Sequence, residues 1–263
     1  MTSPLPSFSR SLTPSLSPSL ELAVQDLDGV RTALRVGAPR IELCGALGVG
    51  GLTPSIGMIE AAVSAAADAG ASDFVHVLVR PRAGGFVYSA DEVATTVRDI
   101  RAVRAAGGNG VVIGALTPEG LVDRGVTAEL AAAAEGMAVS FHRAIDAVAE
   151  PLLAADVLME LGLTRVLTSG GAVRSIDGLG ALRALKSHVG DALQVMAGGG
   201  VRVEDIAVLL GAGLDAVHLS AKVTVNDPSP SGPGGGAQSY DRTDGDVAAA
   251  AASAVATVRA SAS

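Results

Sequence analysis

"GAPRIELC", residues 37–44, joins a glycine, three residues and then an apolar run with a glutamate inside it. The same arrangement recurs at Gly70-Ala-Ser-Asp-Phe74, Gly107-Gly-Asn-Gly-Val111, Gly162-Leu-Thr-Arg-Val166 and Gly213-Leu-Asp-Ala-Val217. A glycine just past a helix can take the left-handed conformation that ends it, and a short loop then feeds the next strand. Each copy therefore marks a passage from helix to strand.

Three further runs lack the marker, and together they predict eight strands: Leu20–Gln25, Arg40–Gly45, Phe74–Arg82, Gly110–Leu116, Ala138–Ala144, Arg165–Ser169, Leu193–Gly198 and Ala216–Ser220. Amphipathic stretches such as "DEVATTVRDIRAVRAAG" (91–107) separate them. This alternation predicts an α/β chain folded as a single (β/α)8 TIM barrel, with a doubly wound open sheet as the alternative. No G-x-G-x-x-G follows the first strand, which lowers a dinucleotide-binding reading.

The flanks differ in composition. Residues 1–19 alternate Ser and Pro and predict a disordered tail rather than a secretory signal; residues 20–225 hold the barrel. Residues 226–246 are rich in Gly, Pro and Ser and predict a flexible loop, with Thr243-x-x-Asp246 as a helix start. Residues 247–263 predict a C-terminal helix completing the barrel, too short and Ala-rich to span a bilayer.

Hydrophobic residues make up 49 % of the 263, but aromatics only 2 %, so the core must be built from Ala, Val, Leu and Ile. A net charge of −8 argues against nucleic acid or an anionic membrane as partner, since either needs a basic face. One cysteine excludes an intramolecular disulfide and any Cys-rich zinc site. A reducing cytoplasm fits.

Successive strand residues point to opposite faces. In the third strand, Val75, Val77 and Val79 should meet the helices, leaving His76, Leu78, Arg80 and Arg82 inward. The same parity turns Glu21, Ala23 and Gln25, then Glu42 and Cys44, Ser140 and His142, and His218 and Ser220 toward the axis. Barrel interiors are ordinarily filled by branched aliphatics. Burying this many polar groups costs several kcal/mol unless they pair, which points to a functional interior.

Several of these groups fall at C-terminal strand ends, where active sites of this fold sit. Arg80 and Arg82 form a candidate guanidinium clamp for carboxylate or phosphate. Glu42 and His142 are candidate acid and base groups, with Asp146 orienting His142 or acting as a base. Ser169, His218 and Ser220 are candidate ligand contacts, and Gly198, Gly199 and Gly200, ahead of a helix, form a candidate phosphate cradle. His188 reads as surface and His76 as a satisfied core residue. Neither Lys186 nor Lys222 is expected inside, which disfavours Schiff-base chemistry.

"RIELCGALGVGGLTPS", "VLVRPRAGGFVYS", "SFHRAID", "RVLTSGG" and "VMAGGGVR", in this order, resemble the CutC family, over roughly Leu20 to Lys222. The resemblance implies a cytoplasmic barrel, a homodimer, and copper binding or homeostasis. It makes Cys44 the candidate metal ligand. Family members carry a second cysteine where this chain has Ala23, and copper(I) takes at least two soft ligands. Of the five methionines only Met196 is expected to face inward with Cys44, so the residues argue against high-affinity copper. Two readings stand: a CutC-type copper protein, and a barrel enzyme, a lyase, isomerase or hydrolase, acting on a small anionic metabolite. A third, a non-catalytic scaffold, leaves the polar interior unexplained.

Overall fold

A computed structural model describes residues 18–229 and 239–262. Eight parallel strands close into a barrel in sequence order, β1 (Ser19–Val24), β2 (Arg40–Leu43), β3 (Val75–Leu78), β4 (Gly110–Ile113), β5 (Ala138–Phe141), β6 (Arg165–Thr168), β7 (Gln194–Gly198) and β8 (Ala216–Leu219). The seam pairs Glu21 of β1 with His218 of β8. The helices are α1 (Leu27–Arg35), α2 (Ile56–Asp68), α3 (Ala90–Ala105), α4 (Arg124–Ala133), α5 (Pro151–Glu160), α6 (Leu179–Val189), α7 (Ile206–Gly211) and α8 (Gly245–Ala262).

The repeated glycine does what its position requires. Gly37 has φ +69° and follows α1; its N–H reaches the Leu34 carbonyl while Ala38 N–H reaches that of Ala33. That pair of bonds closes the helix and turns the chain into β2. At the opposite helix ends, Asp26, Ser55 and Asp123 cap α1, α2 and α4, and Ser89 with Glu92 forms a reciprocal capping box on α3.

The strands are shorter than their apolar runs. β3 stops at Leu78, so Arg80 and Arg82 lie in the following loop, and β5 stops at Phe141, so His142 begins a 3-10 turn, Arg143–Ala147. Val75, Val77 and Val79 pack in the main core with the helices, as parity requires. Inside the barrel lie two small apolar groups: Cys44 with Leu78 and Val112, and Leu167 with Met196 and Ala216.

The stretch from Asn226 to Asp246 is not irregular throughout. β9 (Lys222–Asn226) and β10 (Ser239–Thr243) pair antiparallel at its two ends, because cross-strand hydrogen bonds offset the low strand propensity of Ser, Asp and Asn. The helix after it begins at Gly245 and is capped by the Asp244 carboxylate, not by Thr243. Residues 1–17 of the expected tail lie outside the described residues, and Ser19 already belongs to β1. Among the described residues no helix is long and apolar enough to cross a membrane.

Candidate functional site

Charged side chains fill the barrel axis. Arg40 Nε lies 2.5 Å from Glu21 Oε2, and Arg165 Nη1 lies 3.9 Å from the same oxygen. His218 Nδ1 is 2.8 Å from Glu21 Oε1, and its Nε2 is 3.8 Å from Glu42 Oε2. Two carboxylates, two guanidinium groups and one imidazole thus share a desolvated space. Arg40 also donates to the Met196 sulfur and Arg165 to Gln194, which anchors both at the N-terminal end of the barrel.

The surroundings drive the two carboxylates apart. Burial disfavours ionised Glu21, but Arg40 and the hydrogen bond with His218 override it and hold the carboxyl at about 2. Glu42 lies farther from the guanidinium groups: burial, reinforced by the Glu21 charge, outweighs His218 and Arg40 and raises it to about 7. For His218, burial opposes the charged form, yet the Glu21 hydrogen bond and both carboxylate fields outweigh it and raise its pKa. Glu42 and His218, 3.8 Å apart, are therefore an electrostatically coupled pair, the charge on each favouring the opposite charge on the other.

Above them opens a cavity of about 450 Å³ at the C-terminal face, a size suited to a small metabolite. Glu42, Arg80, His142, Arg143, Gly199, Gly200, His218, Ser220 and Lys222 line it. Of the expected site residues, Glu42, Arg80, His142, Gly199, Gly200, His218 and Ser220 come together there. Arg82, Asp146, Ser169, Gly198 and Cys44 do not.

The paired arginine clamp is not assembled. Arg82 turns outward to Glu92 and to the carbonyls of Ala83, Gly85 and Val87, because beyond the end of β3 strand alternation no longer dictates direction. Arg80 reaches the cavity, but its Nη atoms donate to the carbonyls of Val49, Gly50, Gly51 and Gly84, holding two βα loops together. Its guanidinium also lies over Phe86, whose ring abuts His142 at 4.9 Å.

Asp146 does not orient His142. It sits in the turn with its oxygens receiving Thr168 Oγ1, the Ser169 N–H and hydroxyl, and Arg143 Nε. Arg143, which also donates to Ser169, is thereby laid across the end of β7. A Cβ on Gly199 would come 2.9 Å from Arg143 Cζ, so only glycine, at φ +124°, admits this placement. The glycine loop does not open directly onto a helix: a 3-10 turn, Val203–Asp205, precedes the six-residue α7, and Asp205 is held by Arg174.

His142 is fixed through Nδ1, which accepts from Ala144 N–H at 3.1 Å. Its pKa is held down at about 3 by burial, with the Arg80 charge adding to the effect. His76, expected as a satisfied core residue, is buried with Asp73 at 3.6 Å from its Nε2, and among the described residues neither ring nitrogen has a closer partner. Gly110 and Gly114 of the fourth strand and its extension make room for these two rings, since a Cβ at either would meet His76 or His142 within 2.5 Å.

Copper finds no soft site among these residues. The Cys44 thiol is fully buried, lies 3.6 Å from the Val24 carbonyl, and is pushed well up by burial, with Glu42 adding to the shift. Met196 belongs to the other interior apolar group and is occupied by Arg40. Among the described residues no set of three or more His, Cys, Asp or Glu is placed to hold a metal ion. The donor set does not fit a resident copper ion.

The profile of the CutC family matches residues 19–223, which hold all eight barrel strands. The chain belongs to the CutC family. A family protein CutC of Photobacterium profundum is 40% identical over 206 residues, covering 78% of this chain and 82% of its own; one of Pasteurella multocida is 38% identical over 208 residues, covering 77% and 82%. A solved CutC named for copper homeostasis, from Streptococcus agalactiae, superposes with a TM-score of 0.73 at 29% identity, covering 77% of this chain and 98% of its own. In this CutC member sequence reasoning turned Glu21 inward without giving it a role, placed Lys222 outside, and did not single out Arg40, Arg143 or Arg165 as site residues. The signal for Arg40 and Arg165 was present, since they share parity with Glu42 and Ser169. Lys222, expected outside, reaches the cavity wall through the turn after β8 and pairs with Asp241.

Proposed function

We propose that this CutC member is a barrel enzyme acting by acid–base chemistry on a small anionic metabolite, rather than a high-affinity copper protein. The observation that carries the reading is the 3.8 Å approach of His218 Nε2 to Glu42 Oε2 on the wall of the C-terminal cavity, an acid–base pair whose carboxyl is raised by burial to about 7. Arg143 and Lys222, at the same cavity and ion-paired with Asp146 and Asp241, offer N–H donors to a carboxylate or phosphate. The family name supports the copper reading; the single desolvated thiol opposes it. A cytoplasmic homodimer, with neither nucleic acid nor membrane as partner, is the form that family resemblance and the acidic charge favour.

The experiment is a metabolite-enrichment screen on the purified protein, followed by turnover of each captured compound. Glu42→Gln and His218→Asn should abolish turnover, and Cys44→Ala should leave it intact. Sub-picomolar copper(I) affinity that disappears in Cys44→Ala would overturn the proposal.

A further inference from the structure

We propose that the reaction is proton transfer at a carbon next to a carbonyl, with Glu42 as the base and neutral His142, through Nε2–H, as the donor to the carbonyl oxygen. This rests on the acid–base reading above and adds to it a reaction class and a substrate class, small carbonyl compounds bearing a carboxylate or phosphate.

The argument starts from an orphan donor. His142 Nδ1 accepts a backbone N–H, so the proton of the neutral ring must sit on Nε2. That atom is itself shut from solvent and has no partner among the described residues, while the side chain lines the cavity. Leaving a buried donor unpaired is costly, because its lost hydration is not replaced. The fold nevertheless builds the position carefully: Gly114 clears space for the ring, Ala144 fixes its tautomer, and Phe86 under the Arg80 charge holds its side. A ligand oxygen is the partner such a donor lacks. Because the ring stays neutral down to acid pH, it polarises a carbonyl without surrendering a proton to solvent.

The opposite requirement, a base, is met by Glu42 on the same cavity. In the step, the carboxylate takes the proton from the carbon, the C–H electron pair becomes the carbon–carbon double bond of an enolate, and the carbonyl π pair moves to the oxygen facing His142. Return of the proton from the Glu42 carboxylic acid completes the cycle, with no oxidant, reductant or second substrate consumed. A nucleophilic alternative has less support. The Cys44 thiol stays protonated, and the Ser169 hydroxyl is engaged by Asp146, Ala172 and Arg143.

The test uses the full chain labelled with 15N-histidine, whose four histidines are few enough to resolve, the His142 signal being assigned by its loss in His142→Phe. Oxalate, a planar dianion shaped like an enolate, is the probe. Long-range 1H–15N spectra should show the neutral Nε2–H tautomer from pH 5 to 8, and oxalate should shift that signal. His142→Phe should weaken oxalate tenfold or more while leaving inorganic phosphate within twofold, and His142→Gln, which keeps a donor, should recover part of the loss. In D2O, a panel of pyruvate, 2-oxobutyrate and dihydroxyacetone phosphate should take up deuterium beside the carbonyl in at least one member, at a rate falling a hundredfold in Glu42→Gln.

An imidazolium or an Nδ1–H ring, oxalate that leaves the signal unmoved, full oxalate affinity in His142→Phe, or no uptake in any panel member overturns the proposal. If oxalate fails while phosphate still binds through Arg143, only the enolate site is lost. If neither anion binds, the broader function falls with it.

Discussion

His218 and Glu21 face each other across the strand pair that closes the barrel, Nδ1 to Oε1 at 2.8 Å. The contact does two things at once. It joins the first strand to the last through side chains as well as backbone, and it fixes which nitrogen of His218 is left for Glu42 and the cavity. Glu21 can serve as an ionised anchor only because Arg40 stands beside it.

Glu21→Gln should therefore lower the His218 pKa, measured by NMR titration, because the anionic acceptor that favours imidazolium is gone. Glu21→Ala should destabilise by about 3–5 kcal/mol in denaturant unfolding, since Arg40 and His218 lose their buried counter-charge. An unchanged His218 titration in Glu21→Gln would refute the coupling.

Glu42→Gln should behave in the opposite way. A carboxyl raised in the fold costs stability as pH climbs from its unfolded value, near 4.5, through about 7. Its replacement should be nearly neutral for stability at pH 4.5 and stabilising by roughly 1–3 kcal/mol at pH 8, while removing activity. Equal effects at both pH values would contradict a raised Glu42.

His142 gives a second pH window. Its folded value of about 3 lies below the ordinary histidine value of 6.5, so the stability it lends is complete above 6.5 and drains away as pH falls toward 3. His142→Phe should flatten acid unfolding across that interval.

Gly114→Ala should cost about 1–3 kcal/mol or more, because the new methyl enters the His142 ring. The double variant Gly114→Ala, His142→Ala should recover much of that loss. A tolerated Gly114→Ala with an unmoved His142 signal would show the space is not needed.

Arg143→Ala should weaken phosphate binding at least tenfold by calorimetry, whereas Arg82→Ala should leave it within twofold, since Arg82 is engaged outside the cavity. Equal losses in both would restore the paired clamp.

The barrel was legible in the sequence because its signals are local. Gly37 and its four equivalents end helices through their own φ angles, and alternation on a strand needs no knowledge of the neighbours. That sufficed to turn Glu21, Glu42 and His218 inward and the third-strand valines outward. It failed at Arg82, Asp146 and Lys222, where the chain has left the strand and loop geometry aims long side chains.

Only the tertiary structure decided how the interior charges divide their roles. Glu21 and Glu42 look alike in sequence, each an inward glutamate on an early strand. One is held at about 2 by Arg40 and His218, and the other is lifted to about 7 by burial beside the first. That difference arises from distances between residues far apart in the chain, Glu21 with His218 above all, and electrostatic energy depends on separation in space rather than on order along the sequence.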